Sequence, residues 1–164
     1  MKHLGELRYC LDLEIWRDSG QTFMSQEKYV KILLEKFRMD QYKPIVVPLQ
    51  QNIKLQCEDG SKAADTTLYR QLVGSLIYRT TIRSDLAYAV SVLSQFMSKS
   101  LESHWNAAKN VSRYLQGIVD YNIIYTNSFD VRFRGFADSD WAGNVDDHRF
   151  ITGYALNLGS GVIT

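Results

Sequence analysis

The sequence predicts an α+β fold in which a β-hairpin and one helix are followed by three helices and then by short antiparallel strands. Apolar residues recur at helical spacing from Tyr29 to Phe37 and again, in three stripes, from Leu68 to Ile118. Beyond Gly117 the period changes to two, and Val131-Arg132-Phe133-Arg134-Gly135-Phe136-Ala137 alternates as a strand does.

Leu7 to Ile15 alternates for part of its length, Arg17-Asp18-Ser19-Gly20 is turn chemistry, and Thr22-Phe23-Met24 reads as the second strand of a hairpin. Ser25 can cap a helix start, with Glu27 favourable in its first turn, and Tyr29, Val30, Leu33, Leu34 and Phe37 share one stripe. Lys28, Lys31, Lys36 and Arg38 lie mostly off that stripe. From Asp40 to Asp65 periodicity vanishes, Pro44 and Pro48 exclude helix, and Asp59-Gly60-Ser61 is a turn. Loops of this length are uncommon inside compact domains, so a boundary is expected here. The expected units are residues 1–50, 51–119 and 120–164.

Leu68, Leu72, Val73, Leu76 and Ile77 mark the next helix, in which Gly74 is expected to admit a close helical neighbour. Ser84 is expected to cap a helix carrying Leu86, Ala89, Val90, Leu93, Phe96 and Met97. Ser103 is expected to cap another carrying Trp105, Ala108, Val111, Leu115 and Ile118. Stripes at this spacing are core. Asn122 to Tyr125, Val131 to Ala137 and Ile151 to Leu158 then read as strands.

Composition narrows the function classes. Hydrophobic residues make up 45% and charged residues 23%, as in a soluble globular protein able to bury a core. The net charge of +1 lacks the basic excess of a free-standing nucleic-acid binder. Cys10 and Cys57 have no metal-binding spacing and read as reduced thiols. No apolar run reaches membrane-span length and the first residues lack a secretory apolar block, so a soluble, intracellular protein without a membrane partner is expected.

One constellation can carry chemistry. Phe136-Ala137-Asp138-Ser139-Asp140-Trp141 ends a strand in two carboxylates, and Asp146-Asp147-His148-Arg149 follows in a loop. Carboxylates converging at a strand end suit Mg²⁺, which prefers oxygen ligands, and paired metal ions can clamp a phosphodiester. By spacing alone the bland alternative, a solvated acidic strand end, is the commoner origin of such a pattern. His104 beside Trp105 reads as structural, and His148 as a loop residue.

The words of the sequence resemble a known family. Met1-Lys2-His3-Leu4-Gly5-Glu6-Leu7-Arg8-Tyr9, Met24-Ser25-Gln26-Glu27-Lys28-Tyr29, Tyr69-Arg70-Gln71-Leu72-Val73-Gly74-Ser75-Leu76-Ile77-Tyr78, Arg83-Ser84-Asp85-Leu86-Ala87-Tyr88-Ala89-Val90 and Gly135-Phe136-Ala137-Asp138-Ser139-Asp140-Trp141-Ala142-Gly143 resemble, in order, passages of copia-type retrotransposon Pol polyproteins. The resemblance implies the end of a reverse transcriptase palm, then a helical thumb/connection-like section, then the opening antiparallel strands of an incomplete ribonuclease H-like sheet. It makes Asp138 the first catalytic aspartate of ribonuclease H and a Mg²⁺ ligand, with Asp140 a weaker candidate ligand. The parent enzyme would take Mg²⁺ and a template-primer duplex or RNA–DNA hybrid. The polymerase carboxylates would lie before Met1 and the remaining nuclease ligands after Thr164, so the fragment alone is expected to be inactive and to hold no metal tightly. Three positions depart from the family pattern: Asp12 for a glycine, expected to put a charge in a strand, Ser84 for a proline, and Phe150-Ile151 for Ser/Thr.

The leading expectation is therefore a Pol polyprotein fragment without a complete active site. A second is a non-catalytic module in which Lys28, Lys31, Lys36 and Arg38 contact nucleic acid. A third is a working Mg²⁺ nuclease built from Asp138, Asp140, Asp146 and Asp147. An incomplete sheet also exposes an unpaired edge, through which self-association is expected.

Overall fold

The computed structural model describes residues 5–50, 53, 55–127, 132–140 and 151–163. It is an α+β arrangement of four α-helices and two antiparallel sheets. The first sheet has the order β1-β2-β3-β4, from Tyr9–Cys10, Leu13–Asp18, Gln21–Ser25 and Ile123–Thr126. The second has the order β5-β6-β7, from Phe133–Asp140, Ile151–Leu158 and Gly161–Val162. The helices are α1 (Glu27–Lys36), α2 (Thr66–Arg79), α3 (Ala87–Ser94), preceded by a 3₁₀ turn at Ser84–Leu86, and α4 (Glu102–Gln116).

The opening strands form two hairpins rather than the single one expected. Ser19 and Gly20 join β2 to β3 at φ of 47° and 80°. Leu11 and Asp12 join β1 to β2 at 48° and 57°. Two consecutive residues at positive φ define the two-residue turn whose twist matches flanking strands. Asp12 is thus a turn residue and not a charge within a strand, which corrects the reading of that departure. A glycine suits the position, and aspartate is among the residues that tolerate it. The Asp12 carboxylate also accepts the Tyr9 hydroxyl at 2.7 Å.

The helices enclose one hydrophobic cluster. Val30, Leu33 and Leu34 of α1 join Tyr69, Leu72, Val73 and Leu76 of α2, Ala89, Val90 and Leu93 of α3, and Ala108, Val111 and Leu115 of α4. The stripes read from spacing are largely these residues. Leu68 and Ile77 are exceptions, both 44% exposed at the rim of α2. The loop between α1 and α2 is held against the helices: Arg113 Nε donates to the Lys43 carbonyl, Gln116 Nε2 to that of Asp40, and Leu49 and Leu55 pack on the core.

Caps differ from those expected. Asp65 caps α2 by accepting from the Thr67 and Leu68 amides. Ser103 lies inside α4, whose cap position is Leu101, and Ser84 lies within the 3₁₀ turn. Ser25 accepts the Glu27 amide at 3.1 Å, although Gln26 is the α1 cap residue. Gly74 is exposed, and a Cβ built on it would meet no atom within 4 Å, so it marks no close helix approach.

Arg79 is fully buried at the end of α2. Its Nη1 donates to Gln26 Oε1 at 2.8 Å, while its Nε and Nη2 and the Gln26 Nε2 find no acceptor among the described residues. Burial, with Arg83 nearby, lowers its pKa to about 10. A buried charge so sparsely partnered costs stability that an apolar pair would not.

Two predictions follow from this packing. Gly74→Ala is expected to stabilise the protein by about 0.5–1 kcal/mol, because alanine is the better helix former and the site is open; urea unfolding measures it. Gln26→Leu alone, which strips Arg79 of its acceptor, is expected to cost about 3 kcal/mol. The double change Gln26→Leu, Arg79→Met is expected to recover that loss in the same assay.

Candidate functional site

Asp138 and Asp140 lie in the second half of β5, opposite Gly153 and Ile151 of β6. The two-residue repeat of a strand assigns both positions to one face. Gly153 offers no side chain beside Asp138, and a Cβ built there would meet no described atom within 4 Å. One or two carboxylates with retained waters is a common way for proteins to hold Mg²⁺, so the donor type suits that ion. A second ion needs further carboxylates from other elements. Asp146 and Asp147, with His148 and Arg149, lie outside the described residues.

The basic residues sit elsewhere, on and just after α1. Helical spacing sets Lys28, Lys31 and Lys36 opposite the buried Val30, Leu33 and Leu34, and all three lysines are exposed. They are not equivalent. Lys31 pairs with Glu27 at 2.5 Å one turn earlier, Lys28 lies 5.8 Å from the centre of the Tyr9 ring, and Lys36 lies 5.5 Å from that of Phe37. Arg38 falls beyond the helix at φ 55°, in the backbone turn that ends it. Glu27 and Glu35 on the same helix dilute the positive field, so the face is mixed in sign.

Two further polar clusters lie apart from these residues, and only the second, His104, was singled out from the sequence. Arg83, 8% exposed, grips Asp85 with Nε at 2.8 Å and Nη2 at 2.6 Å, and Tyr114 donates its hydroxyl to the same carboxylate at 2.8 Å. Arg83 Nη1 reaches the Ile118 carbonyl and its guanidinium lies over the Tyr121 ring. Burial disfavours the Asp85 charge, but the Arg83 guanidinium and the Tyr114 hydroxyl outweigh it and hold the carboxyl below its ordinary range. The only sequence signal was Arg-Ser-Asp at the start of a helix. The second cluster is His104, fully buried and stacked on Phe96 with ring centres 3.9 Å apart. Its Nδ1 accepts the Leu101 amide and its Nε2 meets the Gln56 carbonyl at 3.0 Å, which together suit the neutral ring with hydrogen on Nε2. His104 is structural, as expected.

The retrovirus-related Pol polyprotein from transposon RE2 of Arabidopsis thaliana is 38% identical over 159 residues, 97% of this chain and 11% of its own length. That from transposon TNT 1-94 of Nicotiana tabacum is 34% identical over 177 aligned positions, covering all of this chain and 13% of its own. An uncharacterized mitochondrial protein of Arabidopsis thaliana is 32% identical, covering all of this chain and 68% of its own. This chain belongs to the copia-type retrotransposon Pol polyprotein family. It spans little more than a tenth of the length of these two Pol polyproteins. No family model matches it, and no solved structure does. Among the described residues of this Pol polyprotein segment, no helix is long and apolar enough to cross a membrane.

The Arg83–Asp85–Tyr114 cluster yields a pH prediction. Because the folded carboxyl is held below its ordinary value, it stabilises the fold fully above about pH 4, and that contribution is lost as pH falls through the lower folded pKa. Asp85→Asn is expected to cost about 1–2 kcal/mol at pH 7, allowing for the partial exposure of the pair. The gap to the wild type should close on acidification to well below pH 4. Chemical denaturation across that range checks it, and a constant gap would contradict the role.

Proposed function

We propose that this chain is the stretch of a Pol polyprotein that runs from the end of the reverse transcriptase into the opening strands of ribonuclease H. Similarity to Pol polyproteins along nearly its whole length supports the reading. The single observation that carries the nuclease part is the location of Asp138 within β5, on a strand of an antiparallel sheet and opposite Gly153. Asp138, with Asp140 as the weaker partner, would hold Mg²⁺ by carboxylate oxygens. The bound ion would supply an activated water and charge stabilisation at a phosphodiester of the RNA strand in an RNA–DNA hybrid. The contribution of this chain is then to fix one carboxylate on a rigid strand. Placement to within about 0.5 Å is what such chemistry demands, and a strand provides it better than a loop.

The same reading holds that the 164 residues alone do not cleave, since paired-ion hydrolysis draws its ligands from several elements and β5 offers two positions. A second reading, a non-catalytic binding module, is favoured by the exposed lysines of α1. One experiment separates the three expectations: labelled RNA–DNA hybrid is incubated with Mg²⁺ and wild type, Asp138→Asn, or the triple variant Lys28→Ala, Lys31→Ala, Lys36→Ala. No cleavage is expected from any of them. Cleavage by wild type but not Asp138→Asn would mean a complete site. A salt-dependent shift of the hybrid that the triple variant abolishes would favour the binding module.

A further inference from the structure

We propose that Tyr125 and Gly161 form a lock that holds the second sheet in one orientation on the first, so that β5 keeps a set direction relative to the helices. What that fixed strand serves rests on the reading of Asp138 as a metal ligand. The lock itself consists of described residues.

Tyr125 is anchored before it reaches the second sheet. It stands opposite Thr22 in the ladder of β3 and β4, and just beyond it the Asn127 amide donates to the Gly20 carbonyl at 2.8 Å. Its backbone therefore moves with the hairpin, and β3 leads into α1 across Gln26. The side chain leaves that sheet and reaches β7, where its hydroxyl donates to the Val162 carbonyl at 2.6 Å. Burial raises the pKa of this hydroxyl, which keeps it protonated and able to donate.

Three successive residues receive the contact. Ser160 Oγ accepts the Thr126 amide at 2.8 Å and donates to the Thr126 carbonyl at 3.3 Å. Gly161 lies under the ring, and Val162 takes the hydroxyl. A single contact would leave the sheet free to pivot about it. Hydrogen bonds on either side of a packed ring remove that freedom. The fit is close, because a Cβ on Gly161 would collide with ring carbons Cδ1 and Cε1. That ring is held at its backbone end by β3 and at its hydroxyl end by β7, so it cannot step aside and keep both.

Packing beside the joint does not perform the same task. Among the described residues, a cleft of about 330 Å³ runs alongside, lined by Arg83, Asp85, Tyr121, Ile124, Ser160 and Val162. A close-packed interior would resist rocking by itself, whereas a cleft leaves the sheet room to rock once Tyr125 lets go.

The test uses the full chain with Cys10→Ser and Cys57→Ser, and spin labels on cysteines introduced by Ile32→Cys in α1 and Tyr154→Cys in β6, all exposed positions. Pulsed electron spin resonance then measures the distance from the helices to the second sheet. One narrow distribution is expected in this background. Tyr125→Phe, which removes one oxygen and no ladder bond, is expected to broaden it at least about two-fold, and Gly161→Ala to do the same. Amide exchange in α2 and in the β5–β6 ladder should stay slow in Tyr125→Phe, which separates loss of orientation from loss of folding. Asp138→Asn should leave the distribution narrow whatever it does to Mg²⁺ binding, so the lock and the metal reading stand or fall separately. A distribution already broad in the background, or one that neither Tyr125→Phe nor Gly161→Ala changes, would overturn the proposal.

Discussion

The rest of the structure depends on the burial of one face of α2. Tyr69, Leu72, Val73 and Leu76 are all fully enclosed, and α1, α3 and α4 each contribute their own apolar stripe to the same cluster. Each such leucine or valine withdrawn from water contributes roughly 1.5–3 kcal/mol, and none of these helices is long enough to stand alone. Polar ties then fix the helices in rotation. Tyr69 donates to the Leu93 carbonyl at 2.7 Å and Arg70 Nε to that of Met97 at 2.6 Å, so α2 cannot turn without breaking its contacts to α3 and the residues after it.

A second constraint comes from pairing across great sequence distance. β4 lies against β3 with Phe23 opposite Ile124 and Met24 opposite Ile123, so the chain returns to its opening hairpin after completing all four helices. β4 also joins the two sheets. The Tyr125 hydroxyl donates to the Val162 carbonyl at 2.6 Å, and Ser160 Oγ accepts the Thr126 amide at 2.8 Å. Gly161 is buried under the Tyr125 ring, where any Cβ would collide with it. That glycine is required by close approach rather than by a turn. Within the second sheet it is β7, at the opposite end of the order from β5, that meets β4.

Much of this was legible from spacing. The helical period marked Val30, Leu33, Leu72, Val90, Val111 and Leu115 as core, and the change to alternation marked β5 and β6. What escaped was whatever depends on contacts between distant residues. Nothing local in Ile123-Ile124-Tyr125 says that its partner is β3 and not β5. The turn at Leu11-Asp12 escaped because leucine is a poor residue for positive φ, so the strand seemed continuous. Arg79 was hidden by its type, since an arginine at the end of a helix ordinarily faces water, and here it faces Gln26. For the site, the alternation assigned Asp138 and Asp140 to one strand face, and only the family resemblance suggests the proposed role. The Arg83–Asp85–Tyr114 cluster required α4 to be folded against the 3₁₀ turn before it existed.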